Sequence, residues 1–319
     1  MSDKTTLQQA QELDFQRQPS RTDTYMHLLI DDAFKTVFGR VENKSLMIGL
    51  ITAIIPELNI VDLEFTPNQA PHMGEDTKKS VYDVRCKLYD GTHIIVEVQR
   101  DSQNNFKERV LYYGSMPVSD QVKSKEEYAL DPVFVISFLD FKMDHGPEWK
   151  PRVKSHYIMK ERENNEEMTD KLQFVFIELP RFNKTLKECE TFEEKLYYCM
   201  RHLFRYRSQP EELSGEYFDK LFFAAAWANL TAEQQTNYHR AMTTERDIRN
   251  QIKYAQEQGF EAGKAEGKAE GKAEGKAEGV EIGIEETKLN NAKQFKAAGV
   301  ALETIAACTG LDIETVKAL

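Results

Sequence analysis

The sequence predicts an α/β fold, a mixed sheet flanked by helices and followed by a helical C-terminal region. Three observations carry this. The segments 60–65 and 80–99 alternate apolar and polar residues, as strands with two unlike faces do. Two further segments, 132–139 and 172–177, are almost wholly apolar and short, which fits strands buried on both faces. Apolar residues at helical spacing bracket these strands on either side.

Composition sets outer bounds. The chain has 319 residues, of which 40% are hydrophobic and 30% charged, as in a globular protein with a core of its own. No apolar run reaches the roughly 18 residues of a membrane helix, so no membrane partner is expected. The first twenty residues are polar, so no secretory signal is expected and the cytoplasm is the expected location. Cysteines at 86, 189, 199 and 308 form no C-x-x-C pair and have no histidine cluster beside them, which disfavours structural zinc. The net charge of −11 argues against a surface coated in nucleic acid but leaves room for a local basic groove.

Taken in order, residues 1–22 read as a mobile N-terminal arm, and 23–182 as the α/β core. Within the core a helix runs from Tyr25 to Phe38, with Gly39 as its stop. A second covers 43–55 until Pro56 ends it. The strand 60–65 and a loop over 66–79 follow. Helical sequence resumes over 104–127, and a short strand is expected at His156–Met159 between the two buried ones. A helical extension, 183–258, contains helices at about 191–207, 215–229 and 231–258.

The tail begins with a repeat over 259–284, in which Lys-Ala-Glu-Gly recurs four times and glycine stands at every fourth position from Gly259 to Gly283. Seven glycines at about 1 kcal/mol each relative to alanine make a lone helix marginal. The repeat is therefore either a charged linker or a helix that needs a partner, which raises homo-oligomerisation through this region. Residues 285–319 form a small helical unit like a helix-turn-helix, with Gly310 at the turn and Asp312 as N-cap.

The hairpin over 80–99 fixes where its acids point. A two-residue loop, Asp90-Gly91, would set Asp83 opposite Val98 and make each face half polar. A three-residue loop, Tyr89-Asp90-Gly91, with Gly91 left-handed, pairs Leu88 with Thr92 and Asp83 with Glu97. Tyr82, Val84, Cys86, Leu88, Ile94, Val96 and Val98 then share the core face. Asp83, Glu97 and Gln99 share the other, with His93 exposed at its far end. Two carboxylates directly opposite repel unless a cation or a shared proton relieves them. Hard cations such as Mg²⁺ suit such a pair; so would Arg85 and Lys87 on a merely solvated face.

Several motifs in this order resemble a known family. They are Asp32-Ala-Phe-Lys-Thr-Val-Phe-Gly39, then Asp83 with Asp90-Gly91 and Glu97-Val98-Gln99, then Phe106-Lys-Glu-Arg109 with Tyr112, Tyr113 and Gln121, and finally the Gly/Glu/Lys repeat. Together they resemble the Rpn family of recombination-promoting nucleases, PD-(D/E)XK nuclease family transposases. The resemblance implies a PD-(D/E)XK restriction-endonuclease-like core and a DNA endonuclease dependent on Mg²⁺ or another divalent cation such as Mn²⁺ or Ca²⁺. It implies that Asp83 and Glu97 hold the metal, with Gln99 where the superfamily usually has lysine. Asp32, or else Asp31, would supply a further acid from the first helix, and Lys35 and Arg109 would contact phosphate. The competing expectation is a nuclease fold without strong activity that assembles through its helical tail.

Overall fold

The computed structural model describes residues 23–67, 82–102, 105–122 and 129–319. Expectations for the N-terminal arm, most of the 66–79 loop and the end of the 104–127 helix lie outside these residues. Six strands form one mixed sheet: β1 (Leu63–Phe65), β2 (Val84–Leu88), β3 (His93–Gln99), β4 (Val133–Leu139), β5 (Lys154–Lys160) and β6 (Glu167–Glu178). Their order across the sheet is β1-β2-β3-β4-β6-β5. The central strands β3, β4 and β6 run parallel, while β1, β2 and β5 pair antiparallel to their neighbours.

Both faces are covered. On one lie α1 (Asp31–Phe38), α2 (Lys44–Ile54), α4 (Phe192–His202) and α5 (Glu216–Ala225). Their Phe34, Phe38, Leu50, Leu196 and Phe222 pack in one buried cluster with Val84, Cys86, Ile94, Val96 and Ile136 of the sheet. On the other lies α3 (Phe106–Asp120), whose Phe106 and Val110 pack on Ile95, Val135, Leu139 and Phe176. Burial on two sides explains the apolar run of β4, where all seven residues are buried.

Several expectations are corrected. The first helix starts at Asp31, not Tyr25. Residues before it are drawn out because Met26 N–H donates to the Ala225 carbonyl at 2.9 Å and Tyr25 bridges Ala226. The first strand spans only Leu63–Phe65. Tyr82 belongs to the α3 side, packed on Tyr113, because the chain leaves the ladder at Asp83. His93 is buried, not exposed, and burial drives its imidazole down to about 4.

By contact the chain divides into two units, one ending at Glu245 and one from Arg246 to Leu319. A single helix, α6, runs from Ala232 to Ala297 through the whole repeat. In the second unit it is followed by α7 (Leu302–Thr309) and α8 (Ile313–Ala318), which close a small core of Ala292, Ile305 and Val316. Gly310 turns the chain with φ +71°, and the Asp312 carboxylate caps α8 by accepting from Thr315 N–H at 2.8 Å. Among the described residues no helix is long and apolar enough to cross a membrane.

Candidate active site

The site begins with a turn. Gly91 N–H donates to the Leu88 carbonyl at 3.0 Å, Leu88 N–H donates to the Thr92 carbonyl at 2.8 Å, and Gly91 has φ +96°. The loop therefore has three residues. Val84 stands opposite Val96 and Lys87 opposite His93, so the next rung sets Asp83 opposite Glu97.

That rung is closed by side chains rather than backbone. The Asp83 N–H donates to Glu97 Oε1 at 3.3 Å, and Val98 N–H donates to Asp83 Oδ2 at 2.7 Å. The Asp83 carboxylate thus stands in for the carbonyl that a regular ladder would offer Val98. Both are buried, each only 8% exposed. The basic residues of the same hairpin do not neutralise them. Arg85 faces Asp120 at 3.8 Å, and Lys87 faces Asp131 at 3.5 Å.

A cation reaches Asp83 from α1. Lys35 Nζ lies 2.6 Å from Asp31 Oδ1 and 3.7 Å from Asp83 Oδ1. The Asp31 carboxylate is also close enough to Asp83 to help raise its carboxyl. Asp31, rather than Asp32, is therefore the helical acid that joins the pair. Asp32 is half-buried, and its neighbouring charges are Asp31, Lys35 and Arg240.

Gln99 is held at both ends. Its Oε1 accepts from Arg109 Nη2, and its Nε2 donates to the Asp101 carbonyl at 3.0 Å. Arg109 lies 5.9 Å from the ring centres of both Phe106 and Tyr113, so it is no free surface charge. Gln121 binds the backbone of Asp131, accepting its N–H at 2.6 Å, and ties the end of α3 to the start of β4. Tyr113 packs with Tyr82, while Tyr112 is 39% exposed.

Burial raises both acids. Glu97 is pushed up to about 7, against the opposing pull of the Asp83 N–H and Arg109. Asp83 is held well above the usual carboxylate range by burial, then by Glu97 and Asp31. Burial and mutual repulsion therefore favour a proton held by the pair.

The family of PD-(D/E)XK nuclease family transposases matches residues 28–255. The chain belongs to that family. Neither a curated protein nor a solved structure matches it. The two-sided mixed sheet, with its acids on β3 and at the start of β2, is this PD-(D/E)XK chain's version of the fold. Its donor set fits a divalent cation by chemistry. Asp83 and Glu97 are hard oxygen donors, both buried, and Arg85 and Lys87 of the same hairpin face other acids. Among the described residues no three His, Cys, Asp or Glu side chains form a group that could hold a metal ion. A pair of carboxylates is enough for Mg²⁺, which binds through one or two of them and fills its shell with water and substrate oxygens.

Sequence reasoning left the helical acid open between Asp32 and Asp31, and it gave Lys35 to phosphate rather than to the acids. The Asp31–Lys35 spacing of i,i+4 is the signal that marks them as one group on α1.

Proposed function

We propose that the chain is a divalent-metal-dependent DNA endonuclease acting in recombination or DNA mobility. The observation that carries this reading is the buried rung of Asp83 and Glu97, two acids without a matching cation on their own hairpin. A sheet gains nothing from such a rung by itself.

Bound there, Mg²⁺ or Mn²⁺ would supply a polarised water and charge neutralisation at the scissile phosphate. The protein's own contributions are separable. Asp83 and Glu97 are the metal ligands, with Asp31 as the third acid and Asp32 outside the set. Arg109 fixes Gln99, and Lys35 faces the phosphate. The attacking water adds to phosphorus, one P–O ester bond breaks, and the two protons of the water end on the leaving oxygen and on solvent. We also propose that the chain self-associates through its second unit.

The test is cleavage of plasmid DNA with Mg²⁺ or Mn²⁺ by the wild type, Asp83→Asn and Glu97→Gln. Each substitution is expected to lower kcat by at least about 10³-fold. Equal activity in all three would indicate a contaminant. No cleavage by a wild type that binds metal would favour the second reading, an assembly module on a nuclease fold. Gln99, tied to Arg109 and the Asp101 carbonyl, is the observation on that side.

A further inference from the structure

We propose that Lys35 and the divalent cation exchange places: in the metal-free protein the Lys35 ammonium is the counter-ion of Asp31 and Asp83, and metal binding turns it to the scissile phosphate, where it supplies the positive charge that the Glu-x-Gln motif lacks. This rests on the nuclease reading given above.

Three observations lead there. First, Gln99, two residues from Glu97 on the same face of β3, is neutral, and both ends of its amide are engaged within the protein. It can neither carry charge nor turn toward a substrate without losing those bonds. Second, the other nearby cations are committed. Arg109 donates to Gln99 among its aromatic neighbours, while Arg85 and Lys87 face Asp120 and Asp131. Third, Lys35 stands within ion-pair distance of two of the acids, at 2.6 Å from Asp31 and 3.7 Å from Asp83. Its side chain is 27% exposed, so the ammonium keeps a path to solvent and to a ligand arriving from it.

Two cations cannot both hold the same carboxylate oxygens. A divalent ion at Asp83 repels an ammonium less than 4 Å away and outbids it for the acids. Lysine is the residue suited to such a swap. Its charge sits on a flexible four-carbon stem and acts as a point, with no fork to be matched. The helix backbone of α1 stays anchored through Phe34, Val37 and Phe38, which are fully buried, so only the stem need turn. Gly39 lets α1 lie close to the hairpin, since a Cβ there would stand 3.2 Å from Val84.

The signature is an opposite effect on two measurements. Calorimetric titration of the full chain with Mg²⁺, without DNA, should show Lys35→Met binding the ion roughly fivefold or more tightly than wild type, because its competitor is gone. Plasmid cleavage at saturating Mg²⁺ should nevertheless fall by roughly 10²-fold in kcat. Lys35→Arg, which keeps the charge, should return metal affinity to the wild-type value and recover part of the rate. Lys35→Met with unchanged or weaker Mg²⁺ affinity would overturn the exchange. Tighter binding with wild-type cleavage would overturn the second half, leaving Lys35 a mere placeholder. In the wild type itself, the NMR signal of the isotopically dimethylated Lys35 amine should move along the Mg²⁺ isotherm. A signal that stays fixed while the metal saturates would sink the proposal without any variant. A wild type that neither binds metal nor cleaves DNA would instead count against the nuclease reading.

Discussion

Asp83 and Glu97 trade stability for a charge that can be filled. Burial raises both carboxyls, so the folded protein binds more protons than the unfolded chain over the range between their two pKa values. The sign follows directly. For Glu97 the stability is fully present below about 4.5 and is lost as pH rises through about 7, where the folded carboxyl ionises without a partner. Glu97→Gln should therefore melt above the metal-free wild type at pH 8, by roughly 2–4 °C, and match it near pH 4. Mg²⁺ should close the gap at pH 8 for the wild type alone. Thermal melts at the two pH values check this, and a Glu97→Gln melting point below wild type at pH 8 would contradict it. By the same linkage Mg²⁺ affinity should climb as pH rises to about 7 and then level off.

Part of this site is legible in the sequence and part is not. The opposition of Asp83 and Glu97 was legible, because alternation on two strands and one glycine leave a single loop length that keeps a face apolar. The choice between Asp31 and Asp32 was not. Neighbours on a helix point about 100° apart, so naming the inward acid requires the position of the first turn. That position is set by the extended residues at Tyr25 and Met26 pairing with Ala225 and Ala226, a contact some two hundred residues away in the chain. Tyr82 was misplaced for a related reason. Alternation holds only while the ladder continues, and at Asp83 the N–H turns to the Glu97 carboxylate instead.

At the scale of elements, the hairpin and the loop beyond β4 depend on single contacts. Gly91 is left-handed, and a Cβ there would stand 2.5 Å from Asp131 Oδ2. Gly91→Ala should cost about 1–2 kcal/mol from the backbone alone, measured by urea unfolding, with more if Asp131 cannot move aside. The loop beyond β4 is tied to Glu178, which is fully buried at the end of β6. It accepts from Met143 N–H at 2.7 Å and from Arg181 Nε at 2.8 Å, and lies 2.6 Å from His145 Nε2. His145 in turn stacks on Trp149, over which Arg181 also lies. Glu178→Ala would leave the guanidinium facing a cavity, and should cost about 3–5 kcal/mol. A loss under 1 kcal/mol would mean that the loop is held by other contacts. Nothing in the sequence marked this cluster. Its members sit on a strand end and in a segment over thirty residues earlier, and none follows a periodic pattern. The strands β3 and β4, by contrast, were legible, since their own side chains carry the burial that defines them.

At the scale of the whole molecule the second unit poses the open demand. Residues 250–285 of α6 are exposed throughout wherever their side chains are described, and each of the seven repeat glycines opens on empty space. A solitary helix gains nothing there to offset glycines that cost about 1 kcal/mol each. The residues do have a shared face. Ile248 and Ile284 stand about ten whole turns apart and so point the same way, with Ile252 and Val280 within roughly 40° of them. All four are more than 40% exposed. Ala262 and Ala277 continue that face inward, while Glu266 crosses it, so contact is expected at the two ends of the stripe. Beside the stripe Lys272 and Lys276 lie on one flank, and Glu278 and Glu281 on the other. A two-fold pair of parallel helices sets each Lys flank against the partner's Glu flank; an antiparallel pair sets like flanks together. The expected assembly is thus a parallel, in-register dimer. Light scattering should give about twice the chain mass of 36.9 kDa, and Ile248→Lys with Ile284→Lys should return it to one. Register is checked by Ala277→Cys in a chain whose exposed Cys308 is changed to serine. A parallel pair brings the two new thiols together at the seam, so mild oxidation should link two chains, whereas an antiparallel pair or a monomer leaves them apart and unlinked.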